Sequence, residues 1–234
     1  MTQNDILGLI LSYVYAFGLL FIIEAIGKKL NISQNVTRKI IHIGAGLWVW
    51  PIVILFDHWY FGVIPFATFI VLNYIFNKKQ SFEQMDSSQS TMGTVYFAFS
   101  ITLLFLAFWR TDALIDRVQI ALAGTMAMTL GDAFAALLGQ KHGRYIFHFF
   151  GNTKSGIGSL AMFTFSFIGI FVSLWLVPGS SLSPASAVLS LQSLLMYSLI
   201  GAIVATVAEA LSPAGTDNLT APLLTGLVLY ALIG

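Results

Sequence analysis

With 57% hydrophobic and only 9% charged side chains over 234 residues, and a mean hydropathy of +0.85, the chain falls outside the soluble range, where about a quarter of residues are charged. A net charge of +1 offers no basic surface for nucleic acid, and the absence of cysteine removes disulfides, thiolate metal sites and cysteine nucleophiles. The apolar runs are continuous and lack the alternation of a membrane barrel, which leaves an all-α polytopic membrane protein with one domain over residues 1–234.

Runs of about 20 apolar residues suffice to cross a bilayer as a helix. They predict seven to eight spans, at 6–26, 39–56, 59–76, 93–109, 118–139, 157–177, 188–210 and 219–233, the last of them short. The first has no basic leader and no small-residue cleavage site, and is expected to remain as a span. Nine of the eleven basic residues fall between spans 1 and 2 (Lys28, Lys29, Arg38, Lys39), 3 and 4 (Lys78, Lys79), or 5 and 6 (Lys141, Arg144, Lys154); Arg110 and Arg117 lie between spans 4 and 5. The positive-inside rule then puts the richer loops in the cytoplasm and both termini outside. Two connectors stand out: the polar "NKKQSFEQMDSSQST" at 77–91, a linker or a lid, and the Gly-, Ser- and Pro-rich 177–186.

Polar residues inside apolar spans are costly and point to function. In chain order the first cluster is "RKIIHIGAG" at 38–46, where Arg38 and His42 share a helical face at the cytoplasmic start of span 2, with Lys39 as a flanking charge. Asp132 follows, deep in span 5, at an insertion cost of roughly 2.5 to 3.5 kcal/mol. It shares a stripe of small and polar residues with Thr125, Thr129, Ala136 and Gly139, a surface another helix or a ligand can approach closely. In "HGRYIFHFFGNTKSGIGSLAMF" at 142–163, Gly151, Gly156 and Gly158 surround Lys154 and Ser155 where span 6 begins. Backbone amides and the positive helix end there could cradle a phosphate. The run is not a Walker A loop, and its G-x-G-x-x-A match lacks the strand a dinucleotide fold requires. Glu209 lies in span 7, whose helix breaks at Pro213 and Gly215 before Asp217 and Asn218; these are either a helix cap or, with Glu209, oxygen ligands for a hard cation. All these groups gather in the cytoplasmic half, whereas a transporter site sits near the midplane between repeats, and no repeat is visible.

With "GTVYF" at 93–97 and "GDAFAALLGQKHGR" at 131–144, these blocks resemble the phytol, farnesol and dolichol kinase group, which is distantly similar to the CTP-using phosphatidate cytidylyltransferases. The resemblance covers residues 38–223 and also takes in "RKIIHIG", "TKSGIGS" and "ATVAEALSPAGTDNLTAPL". It implies transfer of the terminal phosphate of a nucleoside triphosphate, typically CTP, with Mg²⁺, to an isoprenoid alcohol drawn from the membrane lipid. By motif it makes Asp132, Glu209 and Asp217 candidate metal ligands, and Arg38, Ser155, Gly156, Gly158, Ser159 and Asn218 candidate nucleotide and phosphate contacts. Asp132, Lys154 and His42 are the expected catalytic groups. Ala136 and Ile157 stand where relatives often carry acidic residues. The expected location is a bacterial cytoplasmic membrane or a thylakoid-type membrane, with the site facing the cytoplasm. The competing readings are a CTP-dependent diacylglycerol kinase, a cytidylyltransferase and a proton-coupled transporter.

Overall fold

The protein was analysed as a computed structural model that describes residues 1–79, 81, 92–111, 116–149, 152–213 and 215–233. Their elements are α1 (Gln3–Lys29), α2 (Gln34–Leu47), α3 (Val49–Leu55), α4 (Trp59–Lys79), α5 (Gly93–Phe108), α6 (Val118–His142), β1 (Ile146–Phe149), β2 (Asn152–Ser155), α7 (Gly156–Leu176), α8 (Leu191–Leu211) and α9 (Asp217–Ile233). Counting Gln34–Leu55 as one, six helices are long and apolar enough to cross a membrane, and α5 and α9 are apolar but shorter. The all-α reading holds, with one small addition: β1 and β2 form an antiparallel hairpin pairing Ile146 with Ser155 and Phe147 with Lys154. Most of the suspected lid at 77–91, and Gly151, lie outside the described residues.

Local chemistry fixes the helix ends. Thr2 caps α1 in a capping box, its hydroxyl accepting from the Asp5 amide while its own amide donates to the Asp5 carboxylate. The divide between α2 and α3 falls at Trp48, one turn before Pro51, which has no N–H to give the Leu47 carbonyl and whose ring crowds it. Ser155 caps α7 and Ser190 caps α8, each through a hydroxyl that accepts a backbone N–H three residues on.

Helix α6 runs through the core. Most of its residues are buried, including Val118, Ile120, Leu122, Thr125, Met128 and Asp132, whereas α1 turns Ile6, Ile10, Val14 and Phe21 outward, as a lipid-facing surface should. Small residues let neighbours come close to α6, as in membrane bundles generally. Gly46 of α2 lies against Thr129, Gly131 faces Ser166 and Met162 of α7, and Gly139 packs on Gly158. Ser166 donates to the Ala127 carbonyl at 2.9 Å and ties α7 to the same wall. The small stripe read from the sequence is therefore a helix-packing seam over its buried part.

A Cβ at Gly169 would lie 2.9 Å from Met126 Cβ and 3.0 Å from the Met126 carbonyl oxygen, a backbone that cannot yield. Gly169→Ala is accordingly expected to cost about 1 to 3 kcal/mol through overpacking. The thermal midpoint of the detergent-solubilised protein should fall. In Gly18→Ala, whose added methyl would meet nothing within 4 Å, it should hold or rise slightly.

Candidate functional site

The end of the bundle where α6 and α8 finish and α2, α7 and α9 begin holds a polar cavity of about 560 Å³, open to solvent. Asp132, Glu209 and Asp217 line it, as do the cations Arg38, Lys39 and Lys154. Six charges from five elements converge although they are spread over 180 residues of sequence, and each has a structural reason to be there. Asp132 and Ala136 are carried on α6, Lys154 leaves the last strand of the hairpin, Glu209 sits one turn before α8 ends, and Asp217 opens α9 beyond the break at Pro213.

The charges pair across elements. Lys39 Nζ donates to Asp132 Oδ2 at 2.6 Å. Lys154 Nζ donates to Glu209 Oε1 and lies 3.5 Å from Asp217 Oδ2. Lys154 is on the hairpin, outside the spans: burial alone pulls its ammonium down, but the Glu209 and Asp217 carboxylates more than offset that and hold its pKa above the ordinary lysine value. It stays charged across the neutral range. Arg38 lines the cavity and has no carboxylate partner among the described residues, which leaves its guanidinium able to take a planar anion such as a phosphate.

Ser155, Gly158, Ser159 and Asn218 also line the cavity, but not all as the sequence suggests. The Gly156 amide donates to the Arg144 and Tyr145 carbonyls at 3.0 and 3.1 Å, and Gly156 is not among the lining residues. The Gly158 amide is taken by Ser155 Oγ at 3.1 Å. The expected cradle of glycine amides is thus largely committed to closing the hairpin and capping α7, and Ser155 is a capping residue. What the cavity does offer is two buried oxygens, Ser159 Oγ and Asn218 Oδ1, that have no hydrogen-bond partner among the described residues. Buried polar atoms seldom go unpaired unless a ligand completes them.

His42 is placed differently from the other candidates. It lines a second, apolar cavity between α1 and α5, packs against Phe97 with the two rings tilted by 52°, and brings Nε2 to 3.7 Å from Asp132 Oδ2 and 3.4 Å from the Met128 carbonyl. The partner of Asp132 that the sequence undervalued is Lys39. Its signal was there, since Lys39 is three residues from His42 and Arg38 four, both helical-neighbour spacings.

Among the described residues no three His, Cys, Asp or Glu side chains group closely enough to hold a metal by themselves.

Compared with known proteins, the chain is 34% identical over 213 residues to the phytol kinase of Synechocystis sp., a match covering 87% of this chain and 82% of that one. The chain belongs to the phytol kinase family. A probable chloroplastic phytol kinase of Triticum aestivum is 26% identical over 94% of this chain and 74% of its own, and chloroplastic phytol kinase 1 of Arabidopsis thaliana 25% over 94% and 73%. No protein-family model matches, and no solved structure does. This chain gathers acidic and basic side chains from five separate elements around one cavity.

Proposed function

We propose that this membrane protein is a phytol kinase that transfers the terminal phosphate of CTP to the hydroxyl of phytol or a closely related isoprenoid alcohol. The observation that carries this is the charge-balanced polar cavity, with Arg38, Lys39 and Lys154 facing Asp132, Glu209 and Asp217, directly beside an apolar cavity that shares Arg38, Lys39 and Asn218 with it.

Phosphoryl transfer asks a protein mainly to position its substrates and offset charge. Each lysine here already has a carboxylate partner, so the lysines could turn to triphosphate oxygens and the carboxylates would then be free to hold the accompanying cation. One or two of the carboxylates Asp132, Glu209 and Asp217 would hold Mg²⁺, with triphosphate oxygens and water completing its shell, and the ion would offset phosphate charge. Arg38 and Lys154 bind the phosphates, and Ser159 Oγ donates to one of their oxygens. Lys39 and His42 flank Asp132 from the side of the apolar cavity and orient the acceptor hydroxyl. The alcohol oxygen attacks the terminal phosphorus, forming the new P–O bond as the bond to the bridging oxygen breaks. That electron pair leaves with CDP, and the hydroxyl proton passes to water in the open cavity.

By the positive-inside rule the cavity faces the cytoplasm, because it lies among the lysine-rich connections, and its family kinship to cyanobacterial and chloroplastic proteins fits a thylakoid-type or bacterial cytoplasmic membrane. The test is incubation of the purified protein with terminally labelled CTP, ATP or GTP and a panel of phytol, farnesol and diacylglycerol, followed by separation of the lipids. Labelled phytyl phosphate, formed best from CTP, is expected. Label on diacylglycerol alone would make it a diacylglycerol kinase, and no labelled lipid at all would overturn the kinase reading.

A further inference from the structure

The second cavity has a shape and a pair of ends that the reaction above does not use up. It lies between α1, α2, α3, α4 and α5 and is walled by side chains such as Leu19, Phe66, Phe69, Phe97 and Ile101. One face of α2 forms a wall along its length, since Arg38, His42, Ala45 and Trp48 all line it at three- and four-residue intervals. From Arg38 to Trp48 that wall is about 15 Å long at 1.5 Å per residue. The chain directions of the helices agree, for the lining runs from Asn73 back to Pro65 on α4 and from Gly93 on to Ile101 on α5.

The two ends differ in chemistry. At the near end Arg38, Lys39 and Asn218 line this cavity and the polar one alike, so the two meet there. Asn218 is only 7% exposed, and its Oδ1 has no hydrogen-bond partner among the described residues; Thr94 Oγ1, on the same cavity, is likewise buried and unpartnered. A buried acceptor calls for a donor, and an alcohol hydroxyl is one. Toward the far end Trp48 and, a turn beyond it, Ile52 line the cavity, and the Trp48 indole is held on two sides. Its N–H donates to Ser12 Oγ at 3.1 Å, and its ring stacks on Tyr15 at 4.0 Å between centroids and 11° between planes. Tyr15 in turn donates its hydroxyl proton to the Gly44 carbonyl at 2.9 Å. A ring fixed in this way is a wall and not a swinging gate.

We infer that this cavity is the binding site for the hydrocarbon chain of the acceptor alcohol, with Asn218 receiving the hydroxyl at the junction and Trp48 setting the longest chain that fits. The inference rests on the kinase reading and goes beyond it, because it says which residues choose among prenols. An apolar pocket discriminates by fit, and a change of one methylene-sized group is worth roughly ten- to two-hundredfold in kcat/KM. Removing the end wall should therefore favour longer chains, and narrowing the middle should favour shorter ones.

The experiment compares wild type, Trp48→Ala and Ala45→Phe on farnesol, phytol and a prenol two isoprene units longer than phytol, with labelled CTP in every case. Trp48→Ala is expected to raise the ratio of kcat/KM for the longer prenol over phytol by about tenfold, and Ala45→Phe to raise that of farnesol over phytol by about as much. Should Trp48→Ala fail to fold, Trp48→Phe shortens the wall without emptying it and shifts the ratio in the same direction. Variants that phosphorylate all three alcohols in wild-type ratios would overturn the chain-length site and leave the kinase reading intact. A wild type that labels no alcohol would overturn both.

Discussion

Asp132→Asn is expected to reduce phosphoryl transfer by roughly a thousandfold or more, the scale on which single charge-stabilising groups act in such reactions, with the protein still folded. The substitution is nearly isosteric and leaves an oxygen to accept from Lys39, whose Nζ sits 2.6 Å from Asp132 Oδ2. What it removes is the negative charge that Lys39 and His42 both face and that, on the proposed reading, a metal–triphosphate would need. Stability should fall by less than the 3 to 5 kcal/mol typical of breaking a buried pair, because the Lys39 side chain, 19% exposed, reaches the open cavity. Thermal unfolding measured beside the transfer assay separates the two effects. An Asp132→Asn protein with transfer within tenfold of wild type would remove Asp132 from the site's chemistry.

Lys154→Met should act on both activity and stability, and the two can be pulled apart. Lys154 stands between Glu209 and Asp217; without it two carboxylates remain in one cavity wall with nothing between them. Loss of one partner from a buried pair costs about 3 to 5 kcal/mol, so the thermal midpoint should drop markedly. Transfer should drop by at least about a hundredfold, the usual scale for losing one group that contacts the reacting phosphate, with KM for CTP rising. Adding Glu209→Met to Lys154→Met removes one of the stranded charges and should recover much of the stability, a coupling a double-mutant cycle measures directly. It should not recover transfer. Recovery of both would mean that the Lys154–Glu209 pair only holds α8 to the hairpin.

Four charged side chains that line the cavity stood out in the sequence: Asp132 and Glu209 stand in apolar runs, where the membrane makes them conspicuous, and Lys154 and Asp217 flank the helix starts that a close reading of glycine and proline picks out. Other features were hidden for physical reasons. Arg38 and Lys39 are adjacent, about 100° apart on the helix, and which of them turns to Asp132 depends on where α6 lies, which no local pattern records. The hairpin strands are four residues each, too short for alternation to declare itself among aromatic neighbours, so that stretch read as a glycine-rich phosphate cradle. The same hairpin explains why the glycine amides are committed elsewhere. Span 2 was set to begin at residue 39, whereas α2 starts at Gln34, because its first turn is polar and hydropathy sees only the apolar part. The apolar cavity was the least readable of all: a Phe or Leu that faces a cavity carries the same signature as one that faces lipid.

The most direct measurement is an experimental structure of the purified protein with a non-hydrolysable CTP analogue, Mg²⁺ and phytol. The triphosphate should lie against Arg38 and Lys154, and the phytyl chain along Ala45 and Trp48. The alcohol oxygen should sit about 3 to 3.5 Å from the terminal phosphorus, in line with the bridging oxygen. Nucleotide bound away from Asp132, or a phytyl chain outside the cavity between α1 and α5, would contradict the meeting of the two substrates at Lys39 and Asn218.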